Sequence, residues 1–261
     1  MPIAPLQFTH LNGLLLFTTA FIAGGLNAVA GGGSFISFPT LIFTGVSPIV
    51  ANATNNTALW VASLASAGAY RRELDVERRT MLILSIVSLV GGLLGSILLL
   101  YTSGDVFKKL IPYLLLLGTI VFIFGESFKQ WLQSLNRLDS SKSPRLIYLV
   151  ITQLVVAIYG GFFGAGIGIL MLASLTFFNI KNIHAMNALK TWLATCINGI
   201  AIVPFLFAGI IAWHQAILMA VGGAIGGYVM ANFSRQIPSQ IIRRFISIVA
   251  ISMTTYFFIH G

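Results

Sequence analysis

Eight apolar stretches, each long enough to cross a lipid bilayer, dominate this 261-residue sequence. They fall at about 11–44, 49–70, 80–101, 107–125, 146–178, 185–211, 213–231 and 241–259. A hydrocarbon core about 30 Å thick takes about 20 apolar residues as a helix. In lipid every backbone polar group must find a partner within the protein, so such stretches become helices. A transmembrane barrel would instead show alternating segments of about ten residues. Charged residues make up 8% of the chain, against about 25% in a soluble domain. The expected fold is an all-α polytopic membrane protein of about eight transmembrane helices, with seven to nine crossings.

The first and fifth stretches are too long for one straight helix. At 1.5 Å per residue each would reach about 50 Å. Both are interrupted by glycine, at Gly31-Gly32-Gly33 in the first and at Gly164, Gly166 and Gly168 in the fifth. Ser34 is a good N-cap for a short helix starting after the first interruption. The stretches group as four plus four. A shift of 135 residues lays Gly25 on Gly160, Gly31 on Gly166, Gly33 on Gly168 and Asn52 on Asn187. A slightly shorter shift lays Gly91, Gly92 and Gly95 on Gly222, Gly223 and Gly226. The ordered set reads as an internal duplication, common among secondary transporters. The expected organisation is a first repeat over 1–128, a polar linker over 129–145 and a second repeat over 146–261, within one membrane domain. Trp131, Leu132, Leu135 and Leu138 recur at helical spacing near the linker, which predicts an interfacial helix followed by a Ser-rich turn.

The net charge of +9 sits in short loops, as cytoplasmic loops of membrane proteins do. Topology and lipid headgroup contact explain it better than nucleic acid, which is not expected as a partner. With eight crossings, the loops near 71–79 and 129–145 share a side with both termini and hold eight Lys/Arg against six. That count favours both termini inside. Inverted repeats would need an odd number of crossings per half, and charge counting leaves that alternative open. The first Lys or Arg is Arg71, so the first stretch is expected to stay as a span rather than be cleaved as a signal. Cys196 stands alone, which leaves no intramolecular disulfide and no cysteine metal cluster; it reads as a small apolar filler.

Lys190 lies in an otherwise almost wholly apolar stretch. An ammonium there costs from roughly 3 to beyond 10 kcal/mol unless it faces a wet, paired or ligand-lined cavity. No acid is near it in sequence, so the deep charge is positive and suits an anion. Asn187, Lys190 and Thr191 share one helical face, as do Asn52, Asn55 and Asn56. Glycine breaks expose backbone N–H groups and a positive helix end at mid-membrane. The candidate anion site is therefore Gly31, Gly32, Gly33, Ser34, Asn52, Asn55, Asn56, Gly164, Gly166, Gly168, Asn187, Lys190 and Thr191. Interhelical hydrogen-bonding glue would explain any one of these asparagines; the repeated stripes around a lysine favour a site. Gly91, Gly95, Gly222 and Gly226 read as helix-packing positions.

All six acids, Glu73, Asp75, Glu77, Asp105, Glu126 and Asp139, lie in loops or at the ends of apolar stretches. His184 reads as a local hydrogen bonder; His10, His214 and His260 lie near stretch ends. No nucleotide-binding, zinc or nucleophile-elbow motif is visible, so neither catalysis nor any cofactor or metal is expected.

At these residues the chain resembles the sulfite exporter TauE/SafE family of membrane permeases. The resemblance rests on FIAGGLNAVAGGGSFISFPTLIFTGVSPIVANATNN and GGFFGAGIGILMLASLTFFNIKNIHAMNALK and covers nearly the whole length. It implies a bacterial-type inner-membrane, multi-pass permease of two related halves, carrying sulfur-containing anions such as sulfite or organosulfonates. Leu189-Lys190 stands where the first half has Thr54-Asn55. The expected partners are a small anionic substrate and membrane lipids, with homo-oligomerisation left open. The expected mechanism is alternating access between the halves. A passive anion channel, or a facilitator for another small anion, would need the same lining; an intramembrane enzyme or a non-transporting accessory subunit are further alternatives.

Overall fold

The computed structural model describes residues 10–138, 146–175, 183–233 and 239–260. Among them the chain forms ten helices and no strand: α1 (His10–Val29), α2 (Ser34–Phe43), α3 (Pro48–Tyr70), α4 (Arg78–Tyr101), α5 (Gly104–Leu138), α6 (Leu146–Phe162), α7 (Ile167–Leu175), α8 (Ile183–Phe207), α9 (Trp213–Phe233) and α10 (Ser239–His260). Five of these, α1, α4, α5, α8 and α9, hold stretches long and apolar enough to cross a membrane. The polar stretch after Glu126 continues α5 as far as Leu138 instead of forming a separate helix. The Ser-rich turn expected after it and the side chain of His184 lie outside the described residues.

Each of the two over-long stretches is a helix followed by a short one. α1 ends where the N–H groups of Ala30 and Gly31 both donate to Leu26 O, at 2.9 and 3.0 Å. α6 ends the same way, with Phe163 and Gly164 donating to Tyr159 O at 2.9 and 3.1 Å. Gly31 (φ +76°) and Gly164 (φ +82°) take the left-handed conformation that closes such ends, which costs a residue with a Cβ roughly 1–2 kcal/mol. The carbonyls of Gly33 and Gly166 each receive N–H groups of the next first turn. After Gly31 the chain doubles back. A Cβ on Gly33 would collide with Ala23 O, so α2 leaves the tip alongside α1. The expected cap is corrected too: α2 starts at Ser34 with Gly33 in the capping position and no side-chain cap.

Helix directions follow from the contacts. α1 and α9 run together, with Gly222 on Phe17, Gly226 on Phe21 and Gly25 on Met230. α4 and α6 run together, with Gly91 on Leu154 and Gly95 on Ile158. A methyl on Gly95 or Gly226 would collide with a carbonyl of the neighbouring helix, so these glycines set close helix spacing, as their sequence pattern suggested. α3 opposes α8: Thr54 meets Ala212, Trp60 meets Gly199 and Tyr70 clusters with Ala188. α5 opposes α10: Tyr113 packs on Phe258, and Thr119 and Thr254 share a hydrogen bond of 2.9 Å across 135 residues.

These directions bring Arg71, Arg72, Arg78, Arg79, Lys129, Arg137, Arg243 and Arg244 to helix ends at one face. Lys108, Lys109 and the outer ends of α1 and α10 lie at the other. The expectation that the termini share a side with the Arg71–Arg79 loop is therefore overturned. The first apolar stretch goes in along α1 and comes back along α2, so it makes no net crossing before α3.

Candidate functional site

The tips of the two broken stretches meet inside the helix bundle. Gly31 and Gly168 are so close that a Cβ on either would lie 2.9 Å from the other's Cα. Around this contact is a cavity of about 40 Å³. A water needs roughly 10–15 Å³ on this measure, so the space takes about three waters or one small oxyanion. Its walls are the α1–α2 tip with Gly31, Gly32 and Ser34, the α6–α7 tip with Gly164 and Gly168, and the facing stripes of α3 and α8.

Lys190 reaches into this space from α8 and is 2% exposed. Its Nζ donates to Asn27 O and Ala28 O, both at 3.3 Å. Those carbonyls belong to the last turn of α1, where the helix dipole is negative. The ammonium therefore sits on a helix C-terminus rather than on a carboxylate. It has three donors, and these two bonds leave a third. On the opposite side, α2 and α7 point their N-terminal ends at the cavity. Among the described residues nothing accepts the N–H groups of Ser34 and Gly168, and both residues line the cavity. Such ends favour negative charge.

The α3 stripe contributes Asn55, Asn56, Leu59, Ser63 and Ser66; the α8 stripe contributes Lys190, Thr191, Ala194 and Asn198. Asn55 Nδ2 donates to Ser34 Oγ, and Asn56 Nδ2 to Asn198 Oδ1, both at 3.4 Å. The Oδ1 atoms of Asn55 and Asn56 are buried without a partner, which leaves acceptors for water or a guest. Thr191 spends its hydroxyl on Asn187 O at 2.8 Å.

Of the sequence-derived candidates, the cavity gathers Gly31, Gly32, Ser34, Asn55, Asn56, Gly164, Gly168, Lys190 and Thr191. Gly33, Asn52, Gly166 and Asn187 are not among its lining residues. The N–H of Gly33 donates to Asn27 Oδ1 at 2.8 Å and is not available to a guest. Asn52 Nδ2 donates to Phe162 O at 2.8 Å, so it is spent on the end of α6. Gly166 packs against Gly118, and Asn187 Oδ1 is buried without a partner. Asn27, Ser63, Ser66 and Asn198 also line the cavity. Ser63 and Ser66 continue the Asn52–Asn55–Asn56 face at helical spacing, a signal in the sequence; Asn27, alone in an apolar helix, gives none.

The sulfite exporter TauE/SafE family matches residues 16–257. The chain belongs to this family. It is 30% identical over 239 residues to the probable membrane transporter protein ORF9 of a Sinorhizobium species, covering 91% of this chain and 89% of that one. It is 29% identical over 246 residues to a probable membrane transporter protein of Haemophilus influenzae, covering 92% of each. With the probable membrane transporter protein YfcA of Escherichia coli K12 it shares 26% over 247 residues, covering 92% of this chain and 87% of that one. No solved structure matches. The protein is a multi-pass membrane transporter of the TauE/SafE family.

Proposed function

We propose that this TauE/SafE protein carries small sulfur-containing anions, sulfite or organosulfonates, by alternating access across the cell membrane. One observation carries the reading: a buried lysine, held by two carbonyls, shares a small cavity with the N–H groups of two helix N-termini, which find no acceptor among the described residues. Lys190 balances the anion's charge with its remaining donor. The N–H groups of Ser34 and Gly168 and the second Nδ2 hydrogens of Asn55 and Asn56 donate to its oxygens. The volume of about 40 Å³ favours an oxyanion of sulfite's size, and a larger organosulfonate enters when the cavity widens.

The moving parts are two inverted repeats, α1–α5 and α6–α10. Their support is the matched tip geometry, the antiparallel α3–α8 and α5–α10 pairs, and the Thr119–Thr254 bond between equivalent positions. The cross-repeat bonds of Asn52 to Phe162 and of Lys190 to α1 link each tip to the opposite repeat. Rocking one repeat against the other around the cavity exposes it to each side in turn.

Labelled sulfite flux in liposomes tests this. Saturation, acceleration by unlabelled sulfite on the opposite side, and competition by small sulfonates are expected. Flux that rises linearly without counterflow assigns a channel instead, and absence of flux for every sulfur oxyanion overturns the cargo.

A further inference from the structure

The central cavity is long, and its two ends are sealed differently. Its α3 wall runs from Asn55 to Ser66, about 16 Å at the rise of a helix. Beyond Asn55 the packing is thick: Phe38, Phe107, Phe162 and Phe163 are buried, with edge-on contacts of Phe163 to Phe38 and of Phe107 to Phe162 and Phe163. Beyond Ser66 the seal is thin. It is a cluster of Ala28, Tyr70, Ala188 and Ala231. Three of these are alanines, so Tyr70 is the one large side chain in the cluster's core. It is 3% exposed, and its hydroxyl donates to Ala28 O at 3.5 Å. Ala28 lines the central cavity.

On the other side of this cluster lies a vestibule of about 390 Å³. Arg71, Arg72, Glu73 and Asn232 line it, together with Ala69 and Ala231 of the cluster and its packing. Both arginines are exposed, and with Glu73 the charged groups there sum to a positive balance. A third space of about 260 Å³ lies beside Tyr70, with apolar walls from Leu64, Leu74, Met81 and Trp192.

We infer that Tyr70 is the gate between the central cavity and an anion-collecting vestibule formed by Arg71 and Arg72. The gate opens when the Tyr70 ring turns toward the apolar space and releases Ala28 O. Small alanines then leave a path, whereas the phenylalanine end stays closed. The arginines raise the local concentration of anions at the mouth, an effect that salt weakens. The anionic cargo rests on the proposed transport reading; the route does not.

Thiol labelling tests the route without reference to cargo. Ser66→Cys is placed in a Cys196→Ala background in sealed vesicles. Asp75→Cys and Ser103→Cys report the arginine face and the opposite face. The probes are two membrane-impermeant methanethiosulfonates, one sulfonated and one trimethylammonium. Ser66→Cys is expected to react faster from the Asp75→Cys face, behind the thin seal, than from the Ser103→Cys face. Tyr70→Ala is expected to speed that reaction at least tenfold, and Tyr70→Phe by a smaller factor, since it loses only the hydroxyl bond. The sulfonated probe should outpace the cationic one, and Arg71→Gln with Arg72→Gln should remove the preference. Faster reaction from the Ser103→Cys face, equal rates from both faces, or a rate that Tyr70→Ala leaves unchanged overturns the gate. Equal rates for the two probes overturn the vestibule. These results stand whether or not sulfite flux is found, so the two readings fail separately.

Discussion

Lys190 on α8 and Asn55 on α3 hold matching places on two polar stripes, yet only one carries a charge. The asymmetry gives the cavity a single cation, set on the carbonyl end of α1. Asn52 and Asn55 then separate two kinds of contribution. Asn52→Ala removes a buried bond to Phe162 O and is expected to cost about 1–3 kcal/mol of stability with little change in substrate affinity. Asn55→Ala is expected to weaken anion affinity several-fold at a smaller stability cost. Thermal unfolding in detergent, beside concentration dependence of flux, checks both. The lysine and the asparagines were legible because polar residues at helical spacing stand out in an apolar stretch. Their division of labour was not, since Asn52 and Asn55 look alike until the α6 end is seen to meet only the first.

Among the elements, the glycines fall into three roles, of which the sequence pattern separates helix packing from helix breaking but not the open position at Gly68. Gly226→Ala drives a methyl into Phe21 O between α1 and α9 and is expected to destabilise by about 1–3 kcal/mol. Gly31→Ala adds the cost of a left-handed residue, about 1–2 kcal/mol, and pushes on Gly168 at the tip contact. Gly68→Ala meets nothing within 4 Å and should stay within about 0.5 kcal/mol. Unfolding midpoints of the three variants give the order. The apolar stretches predicted an all-helical membrane chain, because bilayer length and backbone satisfaction leave a narrow choice; the expected eight transmembrane helices became ten helices, five of them long and apolar enough to span among the described residues. They did not predict that α2 folds back along α1, because hydrophobicity carries no direction.

For the whole molecule, the returning α1–α2 arm decides topology. It sets eight Lys/Arg at one face of the described residues against Lys108 and Lys109 at the other. Positive residues stay on the cytoplasmic side, so the C-terminus is expected outside. An alkaline phosphatase fused there should be active and a fluorescent protein dark; the reverse would place the arginine face outside. Such an arrangement gives one deep cation between two facing hairpin tips, with a thin seal toward the arginine face. The account depends most on that cation, and liposome flux of labelled sulfite through wild type, Lys190→Arg and Lys190→Gln measures its part. Wild type should show saturable flux, Lys190→Arg should keep a fraction of it, and Lys190→Gln should lose at least tenfold. Equal flux and equal affinity in Lys190→Gln and wild type would contradict an anion site centred on Lys190.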